Sequence, residues 1–81
     1  DIPDDEISDK ILLEIEIQKL KEILDNIPVG DKAVLLMKYQ DDMSIKEIAA
    51  ILDKTESAIK MKIKRAKDKA IKVRQELYNE N

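Results

Sequence analysis

Apolar residues recur at helical spacing along almost the whole chain, and the places where the rhythm breaks divide it into four segments. Leu13, Ile17, Leu20, Leu24 and Ile27 follow one another at intervals of four, three, four and three, which is a single helix face. That spacing predicts a long first helix, with Ser8 as its N-cap and Asp9 favourable in its first turn. Ile11, Leu12, Ile15 and Ile23 widen the stripe, as expected of a helix gripped between two others or of one that keeps a face for a partner. Asn26–Gly30 interrupts the pattern, and Pro28 suits the first turn of a second helix running from about Val29 to Tyr39. Its centre, Ala33 to Met37, is apolar nearly all round, which predicts the buried middle helix. Gln40–Met43 is a polar connection. Within it, Asp41 and Asp42 read as turn residues rather than as an acid/base pair.

The next break carries more information. Ser44, Ile45, Lys46 and Glu47 form a capping box, in which the Ser hydroxyl accepts from the backbone three residues on and Glu47 reaches back. A third helix then runs to about Leu52, with Ile45, Ile48, Ala49 and Leu52 on its inner side and Ala49 small enough for a close helix crossing. Asp53 and Lys54 make a turn, and Thr55 caps a fourth helix from Glu56 to about Leu77. Its stripe is Ile59, Ile63, Ala66, Ala70, Val73 and Leu77. The expectation is an all-α, four-helix domain over residues 8–81, containing a helix-turn-helix at about 44–66, with residues 1–7 as an acidic, Pro3-containing linker.

A helix-turn-helix lays its second helix in the DNA major groove, N-terminal part first. At 100° per residue, the side opposite Ile59, Ile63 and Ala66 carries Ser57, Met61, Lys64 and Asp68, with Lys60 and Arg65 flanking. Ser57, Ala58, Lys60, Met61 and Lys64 are therefore the expected base-contacting residues. Ser57 can hydrogen-bond a base or phosphate, Ala58 and Met61 can touch a thymine methyl, and Lys64 can reach guanine acceptors. Lys46, Lys54, Thr55 and Arg65 are the expected phosphate contacts that set the register. The competing reading of Met61 is a side chain folded back on its own helix. Lys67, Lys69, Lys72 and Arg74 lie too far along to reach bases and are expected to be solvated or loosely steering.

Charge changes this picture only once it is divided. The net value of −3 looks wrong for a DNA binder, but residues 1–42 hold 12 acids and 5 bases, whereas residues 43–81 hold 6 acids and 10 bases. Attraction to phosphate is screened within about 10 Å at 0.1 M salt, so the local excess of bases is what counts. The plain alternative is a solvated lysine face. Cys and His are both absent, which excludes disulfides, thiolate or imidazole chemistry and zinc sites; no cofactor is expected. With two Tyr and neither Phe nor Trp, the chain has no stacking platform for single strands. A lone Gly30 makes no phosphate loop, and no nucleophile stands beside a base, so an enzyme with a small-molecule substrate is not expected. No apolar run reaches membrane-spanning length and no signal-peptide pattern occurs, which points to the cytoplasm. A start at Asp1 suggests a piece of a longer protein.

Pro28, then Ala33 to Tyr39, then Ser44, Glu47, Ile48, Ala49, Ile51 and Leu52, then Ile59, Lys60, Lys64, Arg65 and Ala66, resemble the C-terminal promoter-binding domain of bacterial sigma factors. The extracytoplasmic-function group is the nearest in kind. The resemblance runs from about Ile27 to Leu77, and the first helix fits the one that opens such domains. It implies a four-helix module recognising double-stranded promoter DNA at the minus-35 element. It also implies docking on the β-subunit flap of RNA polymerase and capture by an anti-sigma factor. Four positions depart from the family. Asp53 stands where Gly is usual, Lys54 where an apolar residue is usual, and Ala58 and Met61 where Thr and Ser are frequent. The family is also richer in Arg near Lys62 and Lys64, and Arg is the better bidentate reader of guanine.

Two other functions fit parts of the pattern. The C-terminal helix-turn-helix of a response or quorum-sensing regulator shares Glu47, Ile48 and Ala49, although Lys64, Arg65 and Ala66 favour a sigma factor. A helical protein-interaction or anti-sigma-binding module would use the wide stripe of the first helix and would not bind duplex.

Overall fold

The computed structural model describes Lys10 and residues 13–78. The expected acidic linker at 1–7, the Ser8 cap, Asp9, Ile11 and Leu12 lie outside the described residues. Among the described residues the chain forms four α-helices: α1 (Ile17–Asp25), α2 (Val29–Leu35), α3 (Ile45–Leu52) and α4 (Glu56–Tyr78). Among the described residues there is no strand. The longest helix, α4, packs against α1, α2 and α3 and is the axis of the domain. Ile23, Val34, Ile48 and Ile59, one from each helix, are fully buried where the four meet. Leu24, Ile27, Leu35, Ala49, Ile63, Ala66 and Ala70 complete the core.

The first helix does not run unbroken from Ser8. The helical conformation at Leu13 lapses over Glu14–Glu16 and resumes at Ile17, with Glu16 in extended geometry (φ −59°, ψ 145°). Leu13 and Ile17 are each 74% exposed, so the regular stripe is half unburied. A helix of ordinary propensity is held mainly by packing of its apolar face. The continuous stretch Ile17–Asp25 is the one that buries Ile23 and Leu24 and packs on α2 and α4.

Pro28 does open α2, as the cap rather than inside the first turn. The helix is expected to continue as α-helix to Tyr39, but Leu36–Gln40 widens into a π turn. The Asp41 and Met43 amides donate to the carbonyls of Leu36 and Met37 (3.0 Å each), and Asp42 turns left-handed at φ 54°. This wide turn reverses the chain into α3. Along α4, the stripe holds at Ile59, Ile63, Ala66 and Ala70, then fades: Leu77 is 45% exposed. Tyr78 packs against the core instead, and its hydroxyl donates to the Glu22 carboxylate of α1. That bond pushes the Tyr78 phenol up to about 12, and Lys19 Nζ lies 4.9 Å from the ring centroid. Helix α4 is thereby fastened at its end as well as its middle.

Candidate nucleic-acid interface

The geometry of the α3–α4 unit is set by short-range chemistry. The Ser44 amide donates to Glu47 Oε1 (3.0 Å) and the Glu47 amide donates to Ser44 Oγ (3.1 Å), so both arms of the capping box are made. The backbone bond from Ser44 holds the Glu47 carboxyl below its ordinary value. Helix α3 ends on Asp53, which is left-handed at φ 55°, ψ 50°. The Lys54 amide donates to Ala49 O (2.9 Å) and the Asp53 amide to Ala50 O (3.4 Å), a paired closure that satisfies the last carbonyls. Three residues from Asp53 the chain is helical again, with Thr55 Oγ1 accepting from the Ala58 amide at 3.1 Å.

Asp53 is the position where the sequence has no Gly, and an L-residue there carries a steric cost of roughly 1–2 kcal/mol. Asp53→Gly is expected to stabilise the domain by about 0.5–1 kcal/mol after the larger chain entropy of Gly in the unfolded state is subtracted. Urea unfolding checks it. A lower midpoint would mean that the Asp53 side chain contributes more than its backbone costs.

Ile59 and Ile63 face inward, at 0% and 4% exposed, and Ile48 and Ala49 of α3 are buried with them. The opposite face of α4 is consequently open. Ser57, Ala58, Lys60, Met61 and Lys64 are all exposed, as are Lys46, Lys54, Thr55 and Arg65. Met61 is 49% exposed, which does not fit a side chain folded away against its own helix. Lys46, Lys54, Lys60, Lys64 and Arg65 form no ion pair among the described residues, so their charge is available. A shallow recess beside this face is lined by Lys54, Ala58, Met61 and Arg65, together with Lys62 and Lys69.

Residues 17–69 match the profile described as Sigma-70, region 4. The chain belongs to the sigma-70 region 4 family. It is a promoter-binding domain of a sigma factor, a helix-turn-helix module that binds DNA and works with RNA polymerase rather than a catalytic domain. No curated protein and no solved structure gives a match. Among the described residues, no helix is long and apolar enough to cross a membrane, and no group of acidic side chains is placed to hold a metal ion.

The lysines beyond the turn are not the uniformly solvated set that their distance from the N-terminus predicts. Lys67 is buried at 5% exposed, and Lys69 Nζ bonds Asp31 Oδ2 at 2.7 Å. Arg74 is half-buried and engaged. Sequence reading overlooked Asp31, a carboxylate 6% exposed in the first turn of α2. Its partner is 38 residues away along the chain, a separation with no local signature.

Proposed function

We propose that this sigma-70 region 4 domain recognises a minus-35-type promoter element through the N-terminal half of α4, in the manner of extracytoplasmic-function sigma factors. Ser57, Ala58, Lys60, Met61 and Lys64 meet base edges, while Lys46, Lys54, Thr55 and Arg65 hold phosphates. The observation that carries this reading is the Asp53 turn. It stops α3 and launches α4 with Ile59 buried and Met61 exposed, leaving a cationic, unpaired face at the helix start. The isolated domain binds weakly, since a single small module makes few phosphate contacts and lacks polymerase as a tether.

A second surface supports docking on the flap of the polymerase β subunit. An apolar groove of about 680 Å³ runs between α1 and the π turn, lined by Leu13, Ile17, Leu20, Leu24, Leu36 and Tyr39. It shares no lining residue with the recess beside α4, so promoter and polymerase can be held together. An anti-sigma factor would act by covering either surface.

Selection of bound sequences from random duplex, with the domain tethered to polymerase, tests the reading. Recovery of one sequence element supports it; recovery of no preferred sequence removes it. Salt dependence separates this function from that of an interaction module. Lys46→Ala is expected to flatten the slope of log affinity against log salt by about one unit, with little change in sequence preference. A protein-interaction module would show no duplex binding even at low salt.

A further inference from the structure

Asp31 is the acidic side chain that stands between the cations of α4, and duplex binding has no obvious use for it. It sits in the first turn of α2, with its side chain 8% exposed. Its two oxygens engage two lysines spaced seven apart on α4: Oδ2 meets Lys69 Nζ at 2.7 Å, and Oδ1 lies 3.9 Å from Lys62 Nζ. Lys62 is drawn down toward α2 rather than outward. Its Nζ lies 3.3 Å from where a Cβ on Gly30 would stand, so the missing side chain at Gly30 leaves the room it occupies. Arg65 lies between the two lysines on the same side of the helix, is exposed, and forms no ion pair among the described residues. All three side chains line the recess beside the base-reading face, together with Lys54 and Met61.

The consequence is a division of labour among neighbouring cations. A phosphate approaching this flank meets Lys54 and Arg65 freely, but must compete with a fixed carboxylate for Lys62 and Lys69. Backbone attraction is blind to sequence, so each cation withheld from phosphate lowers affinity for every duplex and leaves base contacts to decide among them. A carboxylate here therefore lowers affinity for all duplexes alike and leaves the preference among them to the base contacts.

We propose that Asp31 sets the strength of sequence-independent binding: by pairing with Lys62 and Lys69 it withholds these two cations from the DNA backbone and lowers affinity for every duplex. This rests on the reading of α4 as the duplex-binding helix. Asp31 acts through the lysines and touches no DNA itself.

The test is a salt titration of the 81-residue chain against random-sequence duplex, read by fluorescence anisotropy. Asp31→Asn is expected to steepen the slope of log affinity against log salt by about one to two units and to tighten random binding about tenfold at 0.1 M salt. Asp31→Glu, which keeps the charge, holds the slope of the original chain. Lys69→Gln changes the slope by less than about half a unit, whereas Arg65→Gln, one turn away, lowers it by about one. An unchanged or shallower slope for Asp31→Asn overturns the proposal, as does a full-unit loss for Lys62→Gln or Lys69→Gln. If thermal unfolding shows that Asp31→Asn does not fold, those two lysine variants decide alone. Failure of the unsubstituted chain to bind duplex at low salt would instead remove the promoter-binding reading. Duplex binding by that chain, with no response to Asp31→Asn, removes only the role of Asp31.

Discussion

Ile59→Ala is expected to cost about 2–5 kcal/mol, through lost transfer free energy and the cavity left where four helices meet. A chain of 81 residues has roughly 4–12 kcal/mol of total stability, so this single change removes a large share of it. Thermal unfolding followed by circular dichroism should show the midpoint fall by about 8–40 °C. Duplex binding is lost with the fold, because Ile59 lies on the reverse of the surface that carries Ser57 and Met61. Ile51→Ala is the control. Ile51 is the same residue type in the neighbouring helix, but it is 60% exposed and its truncation should change stability by less than about 0.5 kcal/mol. Comparable losses at the two positions would mean that α4 buries a different face from the one described.

That contrast also marks what was readable in the sequence. The capping box, the Thr55 cap and the stripe from Ile59 to Ala70 are local signals, in which residues three or four apart decide their own conformation, and the helices begin and end close to where these signals place them. The αL turn was legible as a turn, and Asp53 as its uncomfortable occupant. The lapse at Glu14–Glu16 was not legible, because the stripe of the first helix continues through it. Whether such a stripe is buried depends on which helices arrive beside it, and no spacing within α1 contains that information. The π turn is similar. Leu36 to Gln40 has ordinary helix-forming composition, and the widening serves the reversal at Asp42 rather than any local preference.

For the candidate site, exposure was the legible part and charge pairing the illegible part. A helical wheel separates Ile63 from Lys64 with no knowledge of the fold, and the burial of one and exposure of the other follow. It cannot separate Arg65 from Lys69, which are one turn apart and alike in charge. What distinguishes them is Asp31, brought from α2 by the packing of that helix on α4. Sequence reading therefore finds where the positive face is and overstates how much of its charge is available.

Within that face, the residues proposed to read bases carry the second large prediction. Ser57→Ala, Met61→Ala and Lys64→Ala are each expected to cost about 1–3 kcal/mol on the preferred promoter sequence, and much less on random duplex. At 1.4 kcal/mol per tenfold, about 2 kcal/mol corresponds to a loss of roughly thirtyfold for one truncated side chain. All three positions are exposed in the free domain, so the substitutions leave the core untouched and thermal stability should hold within about 0.5 kcal/mol. The comparison of specific with random duplex is what isolates base reading. A residue that only holds the backbone loses the same affinity on both sequences and shallows the salt slope; a base reader loses affinity on one and leaves the slope nearly unchanged. Lys64 tests the chemistry further. A lysine offers guanine a single flexible ammonium, whereas arginine presents a planar fork that meets both O6 and N7. Lys64→Arg should accordingly sharpen the guanine preference at one position of the selected sequence and leave the others unchanged. Equal losses on both duplexes for all three alanine variants would reassign the N-terminal half of α4 from reading bases to gripping phosphates.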